Sequence, residues 1–226
     1  MISPYSMNDA VAEAPALLGR VGFSRSFPQG HPTGRLSVAR CLHQPLWDAL
    51  EDLGLSLGFH ESTGTGKRPI GQRLEPNLML RRVYAQPMEQ MIALGSFCAG
   101  GVLARHPRLR VAFLEANCSW LPWLLWRLDE AWEREGDVWA PDLTTAPSEY
   151  FKRHCVVSVE PDERHSRYRH CRQPADCIVH DYPHGDSKYP QAVDCRLARK
   201  IRKRSCGTTA LAITPCHKQP RRFQAM

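Results

Sequence analysis

From residue 41 to residue 163 the apolar positions alternate between two periods, and that alternation lays out an order of elements. Pro45 to Leu53 places Leu46, Ala49, Leu50 and Leu53 on one side of a short helix, and Gly54 closes it. Leu55 to His60 (LSLGFH) follows as a short strand, and a polar loop rich in Gly and Thr runs from Glu61 to Arg68. Met88, Met91, Ile92, Ala99, Val102 and Leu103 recur at helical spacing, which predicts a second helix over 88–103 that must end before Pro107. Leu109 to Glu115 (LRVAFLE) reads as a buried strand. Ser119 to Trp132 reads as a third helix, with Pro122 tolerated in its first turn. Its tryptophans 120, 123 and 126 are read as packing residues rather than a cofactor box. Val156–Val159 and Cys177–His180 supply two more short strands.

Strands alternating with helices argue for parallel βαβ units and an α/β fold. Chemistry in such folds gathers where strands end at their carboxyl side. Four polar residues stand at or near those ends: His60, Glu115, Glu160 and Asp181. His and carboxylate side chains are ordinary ligands for divalent metals, and a carboxylate can also carry a proton. A single acid after a strand, taken alone, is more often a helix cap or half of a loop ion pair, and it is the recurrence in successive units that favours chemistry. The segment Asp181-Tyr-Pro-His184-Gly-Asp-Ser187 is the most specific, because Pro183 and Gly185 force a turn directly after the strand. His180 and His184 cannot form a helical zinc pair across Pro183. Gly64-Thr-Gly66-Lys67 is not a phosphate loop, since Glu61 and Arg68 occupy its defining positions.

The flanks change the picture in three ways. Residues 1–40 have one helical start at Asn8-Asp9 and then a weakly periodic mixture of Pro, Gly, Ser and Arg, whereas 164–226 is irregular apart from an island at 175–194. The net charge of +7 comes from the tail: residues 195–226 hold nine Lys or Arg and no acid, so the rest of the chain is slightly acidic. Such a tail is expected to be a solvated, poorly ordered end, and no nucleic-acid-binding module accompanies it. Nine cysteines without a C-x-x-C pair, no charged-then-apolar leader and no membrane-length apolar run lead to the expectation of a cytoplasmic protein with reduced thiols.

Five blocks, GFHESTGTG (58–66), PMEQMIAL (87–94), GGVLARHPRLRVAFLEANCSWLPWLLWRLDEAWER (100–134), PSEYFKRHCVVSVEPDE (147–163) and DYPHGDSKYP (181–190), together resemble amidohydrolase-related proteins. These are TIM-barrel metal-dependent hydrolases that include the aminocarboxymuconate-semialdehyde decarboxylase-like carboxy-lyases. The resemblance implies an incomplete (β/α)8 barrel of roughly the later five βα units, spanning 41–194, with 1–40 as the remnant of a unit. It departs from the family pattern at 15–40, 164–174 and 195–226. It implies His60 as the fifth-strand metal ligand and Asp181 as the eighth-strand ligand and catalytic residue. Glu115 after the sixth strand becomes a second catalytic residue, and His184 orients Asp181 or its loop. The implied cofactor is a divalent metal, zinc first, with manganese or iron as alternatives. The family's H-x-H pair does not occur among the ten histidines, and Met1 falls where the family enters its fourth unit. The expected activity is hydrolysis or decarboxylation of a small carboxylated or cyclic substrate. Arg81 and Arg82, expected in the loop before the second helix, would hold the substrate's carboxylate, and their plainer reading is a solvated pair. The competing expectation is an inactive, truncated remnant whose open sheet edge would favour homo-oligomers.

Overall fold

Parallel strand pairing organises the chain. A computed structural model describes residues 7–17, 24–25, 43–60, 70, 74, 76–159 and 176–178. Among the described residues five strands lie side by side in chain order: β1 (Ser24–Arg25), β2 (Ser56–His60), β3 (Arg110–Phe113), β4 (Cys155–Val159) and β5 (Asp176–Ile178). Every neighbouring pair is parallel, with Phe59 level with Ser24 and Phe113, and Phe113 level with Val157. The strands expected at 55–60, 109–115, 156–159 and 177–180 are therefore present, with no end moved by more than two residues. β1 lies in the segment that showed little periodicity; two residues are too short for a hydrophobic period to register.

The helices are α1 (Met7–Glu13), α2 (Gln44–Asp52), α3 (Leu78–Cys98), α4 (Val102–Arg105), α5 (Leu121–Trp139) and α6 (Pro147–His154). Alternate strand residues Leu57, Phe59, Val111, Phe113, Cys155 and Val157 face these helices and share one core with Leu46, Trp47, Leu50, Leu94 and Phe97. Trp47 and Phe59 both meet Phe97 edge-on at 5.2 Å, and Phe59 stacks on Phe113 at 5.8 Å. Removing a ring such as Phe97 costs about 3–5 kcal/mol. The intervening residues Gly58, Ala112 and Ser158 are small and also buried, as expected of a parallel sheet covered on both faces.

Three expectations need correction. The second helix is two: α3 begins at Leu78, where the Asn77 side chain accepts the Leu80 N–H at 3.0 Å, and ends at Cys98. Gly101, with φ of 76°, then turns the chain into α4. Pro87 deletes one N–H inside α3 but does not end it. Arg81 and Arg82 therefore belong to α3 and not to a loop, and Arg82 is exposed. Trp123 and Trp126 are not packing residues; they are 57% and 59% exposed. At 100° per residue the buried face of α5 runs through Leu121, Leu125 and Gly136, and positions 123 and 126 fall outside it. α6 was not foreseen, because its buried side includes Ser148 and His154 beside Tyr150 and Phe151.

At the amino ends of the strands the chain is closed by polar side chains. His106 is buried, with Nε2 2.7 Å from Gln44 Oε1 and Nδ1 facing Glu51 at 3.4 Å and Asp48 at 3.5 Å. Arg108 donates its backbone N–H to Glu51 and its guanidinium to Asp52 at 3.1 Å. One strand over, Arg110 donates to His154 Nδ1 at 2.9 Å. Burial, reinforced by the Arg110 charge, pushes His154 below the ordinary histidine range.

Candidate active site at the carboxyl ends of the strands

The opposite end of the sheet carries the strand-end residues. His60 is the last residue of β2, its Cα level with that of Arg25 on β1. β3 ends at Phe113, but pairing continues one residue further, since Leu114 N–H donates to Phe59 C=O at 2.8 Å. Glu115 comes next with φ of 59°, in the left-handed region that costs a side-chain-bearing residue roughly 1–2 kcal/mol. Asn117 repeats that conformation at φ of 57°, where Asn is more at ease. The result is a sharp turn leading into α5, with Glu115 half-buried at its start.

Two side chains hold this turn. Gln90 of α3 is 2% exposed, and its Nε2 donates to Phe59 C=O at 3.2 Å and to Leu114 C=O at 3.1 Å. Two carbonyl acceptors on one side fix which end of the amide is nitrogen. The other end, Oε1, is buried with no hydrogen-bond partner among the described residues. From β4, Ser158 accepts the Glu115 N–H at 2.9 Å. Neither Gln90 nor Ser158 was singled out from sequence. The signal was present for Gln90: it lies three, four and seven residues before Ala93, Leu94 and Phe97, on the buried stripe of α3.

Of the sequence-derived candidates, the structure brings the backbone of His60 and of Glu115 to one edge of the sheet. Glu160, Asp181 and His184 lie outside the described residues. Among the described residues no group of three or more His, Cys, Asp or Glu is arranged to hold a metal ion, so these residues alone do not make a metal centre. No helix among them is long and apolar enough to cross a membrane.

A family model described as Amidohydrolase matches residues 4–201. This chain belongs to the amidohydrolase family. The bounds of the match take in 15–40 and 164–174, where the block-by-block resemblance lapsed. Over 119 residues, 53% of this chain, the amidohydrolase is 28% identical to 2-amino-3-carboxymuconate-6-semialdehyde decarboxylase of Dictyostelium discoideum. It superimposes on 5-carboxyvanillate decarboxylase of Sphingomonas paucimobilis with a TM-score of 0.70 at 22% identity, covering 88% of this chain and 59% of that one. On dihydroxybenzoic acid decarboxylase of Polaromonas sp. JS666, solved with bound manganese and 2-nitroresorcinol, the TM-score is 0.65 at 16% identity, covering 88% and 61%. At these identities the two structures establish a shared fold. The chain spans about a third of the length of its Dictyostelium relative and about three-fifths of each of these structures.

Proposed function

We propose that the five strands are the later five of the eight units of a (β/α)8 barrel, and that the barrel is a metal-dependent carboxy-lyase acting on a small carboxylated ring or polyunsaturated acid. The observation that carries this reading is the placement of the His60 and Glu115 backbones at the carboxyl ends of adjoining parallel strands, where barrels of this kind do their chemistry. The decarboxylases among the similar proteins favour loss of CO2 over hydrolysis. His60 and Asp181 bind the divalent cation, with His184 orienting Asp181; manganese is the first ion to test, since a related decarboxylase holds it. A cation bound there would supply a Lewis acid beside the substrate.

The chain's own residues then divide the remaining work. Arg81 and Arg82 attract the substrate carboxylate. Departure of CO2 leaves an electron pair on carbon, and one proton must arrive to complete the new C–H bond. Glu115 supplies that proton and recovers it from solvent.

Thermal unfolding with and without manganese or zinc, paired with an assay for CO2 release from hydroxylated benzoates, tests the proposal. A melting temperature that rises with metal in the parent chain, and does not rise in His60→Ala or Asp181→Ala, is the expected result. A metal-insensitive transition without CO2 release would instead establish the chain as an inactive relative of such enzymes.

A further inference from the structure

The peptide group between Leu114 and Glu115 is held at both ends by side chains from two different elements. Its carbonyl accepts from Gln90 Nε2 on α3, and its N–H donates to Ser158 Oγ on β4. The same Gln90 nitrogen also takes the carbonyl of the peptide between Phe59 and His60. One amide nitrogen thus sets the spacing of the two peptides that lead into His60 and Glu115, and the hydroxyl fixes the tilt of the second.

We infer that Gln90 and Ser158 are positioning residues, a two-sided clamp that aims Glu115 by immobilising the peptide before it and ties that peptide to the end of β2. The inference rests on the reading of Glu115 as the proton carrier and adds the means by which it is held. Packing alone does not account for Gln90. A methionine would fill the same space without a buried amide to satisfy, and the Gln90 amide spends its nitrogen on two backbone carbonyls at the strand ends. Glu115 needs such restraint, because a left-handed conformation at a residue with a side chain persists only when its surroundings over-determine it. The third hydrogen bond of the set, Leu114 N–H to Phe59 C=O, extends the β2–β3 ladder up to the clamped peptide.

Backbone amide exchange on the full chain tests the clamp without depending on turnover. In Ser158→Ala and in Gln90→Met the Glu115 amide should exchange about tenfold faster relative to the Ala112 amide, which lies within β3. Ser158→Thr, which keeps the hydroxyl, should restore the parent ratio. The double variant should accelerate exchange by less than the product of the single effects, since both act on one peptide. If Glu115 and Ala112 accelerate together, the two residues serve only global stability and the clamp is refuted. Where the parent chain releases CO2, kcat should fall in both single variants with KM held, and unchanged kcat would overturn the positioning role. A parent chain that is inactive with metal disproves the carboxy-lyase reading alone; the exchange ratio then still decides the clamp.

Discussion

The two ends of the sheet are built from different chemistry. At the amino ends Arg108 pairs with Asp52 and Glu51, the carboxylates of Glu51 and Asp48 face the His106 ring, and Arg110 caps His154 beside them. At the carboxyl ends the contacts are neutral: an amide and a hydroxyl hold backbone groups, and two non-glycine residues take left-handed conformations. Charge networks tolerate small displacements, whereas a peptide gripped at both ends does not. The difference assigns stability to one end and geometric precision to the other, a separation that a parallel sheet permits because its two ends share a core but no loops.

The sharpest way to break the comparison is Glu115→Gln. It should lower CO2 release by about 10²–10⁴-fold while leaving the melting temperature close to the parent's, measured by steady-state assay and calorimetry. A large loss of stability would place Glu115 with the structural residues. The converse substitution, His106→Ala, should cost about 1–3 kcal/mol in urea unfolding with no change in kcat, because Gln44, Glu51 and Asp48 lose the group they surround.

The amino end should also respond to acid. Burial holds His154 there, and His43 at the start of α2, below the ordinary histidine range, so the unfolded chain takes up protons first as the pH falls. Stability is therefore complete above about pH 6.5, the ordinary histidine value, and declines as the pH drops below it. His154→Gln keeps an acceptor for Arg110 but cannot charge, and should flatten that decline between pH 7.5 and pH 5.5 in urea titrations. The smallest effect belongs to the surface: Lys152→Ala removes a 2.6 Å ion pair with Glu149 on the exposed side of α6 and should change stability by no more than about 0.5 kcal/mol.

The inner architecture was legible because its apolar residues keep strict periods. Leu57, Phe59, Val111, Phe113 and Val157 announce β2 to β4, and Leu46 and Leu50 announce α2. What escaped depends on polar atoms or on single turns. Asn77 starts α3 at Leu78, ten residues ahead of Met88, where the apolar spacing begins. α6 hides because Ser148 and His154 are buried through specific hydrogen bonds, to Asp129 and Arg110, that no hydrophobic period records. Trp123 and Trp126 misled in the other direction, since large aromatic residues suggest a core that their angular position denies them. At the candidate site, His60 and Glu115 could be read from the ends of strands. Gln90 and Ser158 could not be connected to them, because a side chain bonded to a distant backbone leaves no trace in local spacing.

A sheet whose spatial order repeats its chain order also has a history written into it. Each strand from β2 onward docks on the one made just before it, and none must be inserted between two that already exist. Partners such as Ser56 and Arg110 are far apart along the chain, which would make pairing slow for a molecule that starts fully unfolded. During synthesis the same order is an advantage: β2 with α2 and α3 can wait, half-covered, while the ribosome delivers β3. Refolding from denaturant and folding at the ribosome should therefore be two different journeys for this protein, with aggregation the hazard of the first.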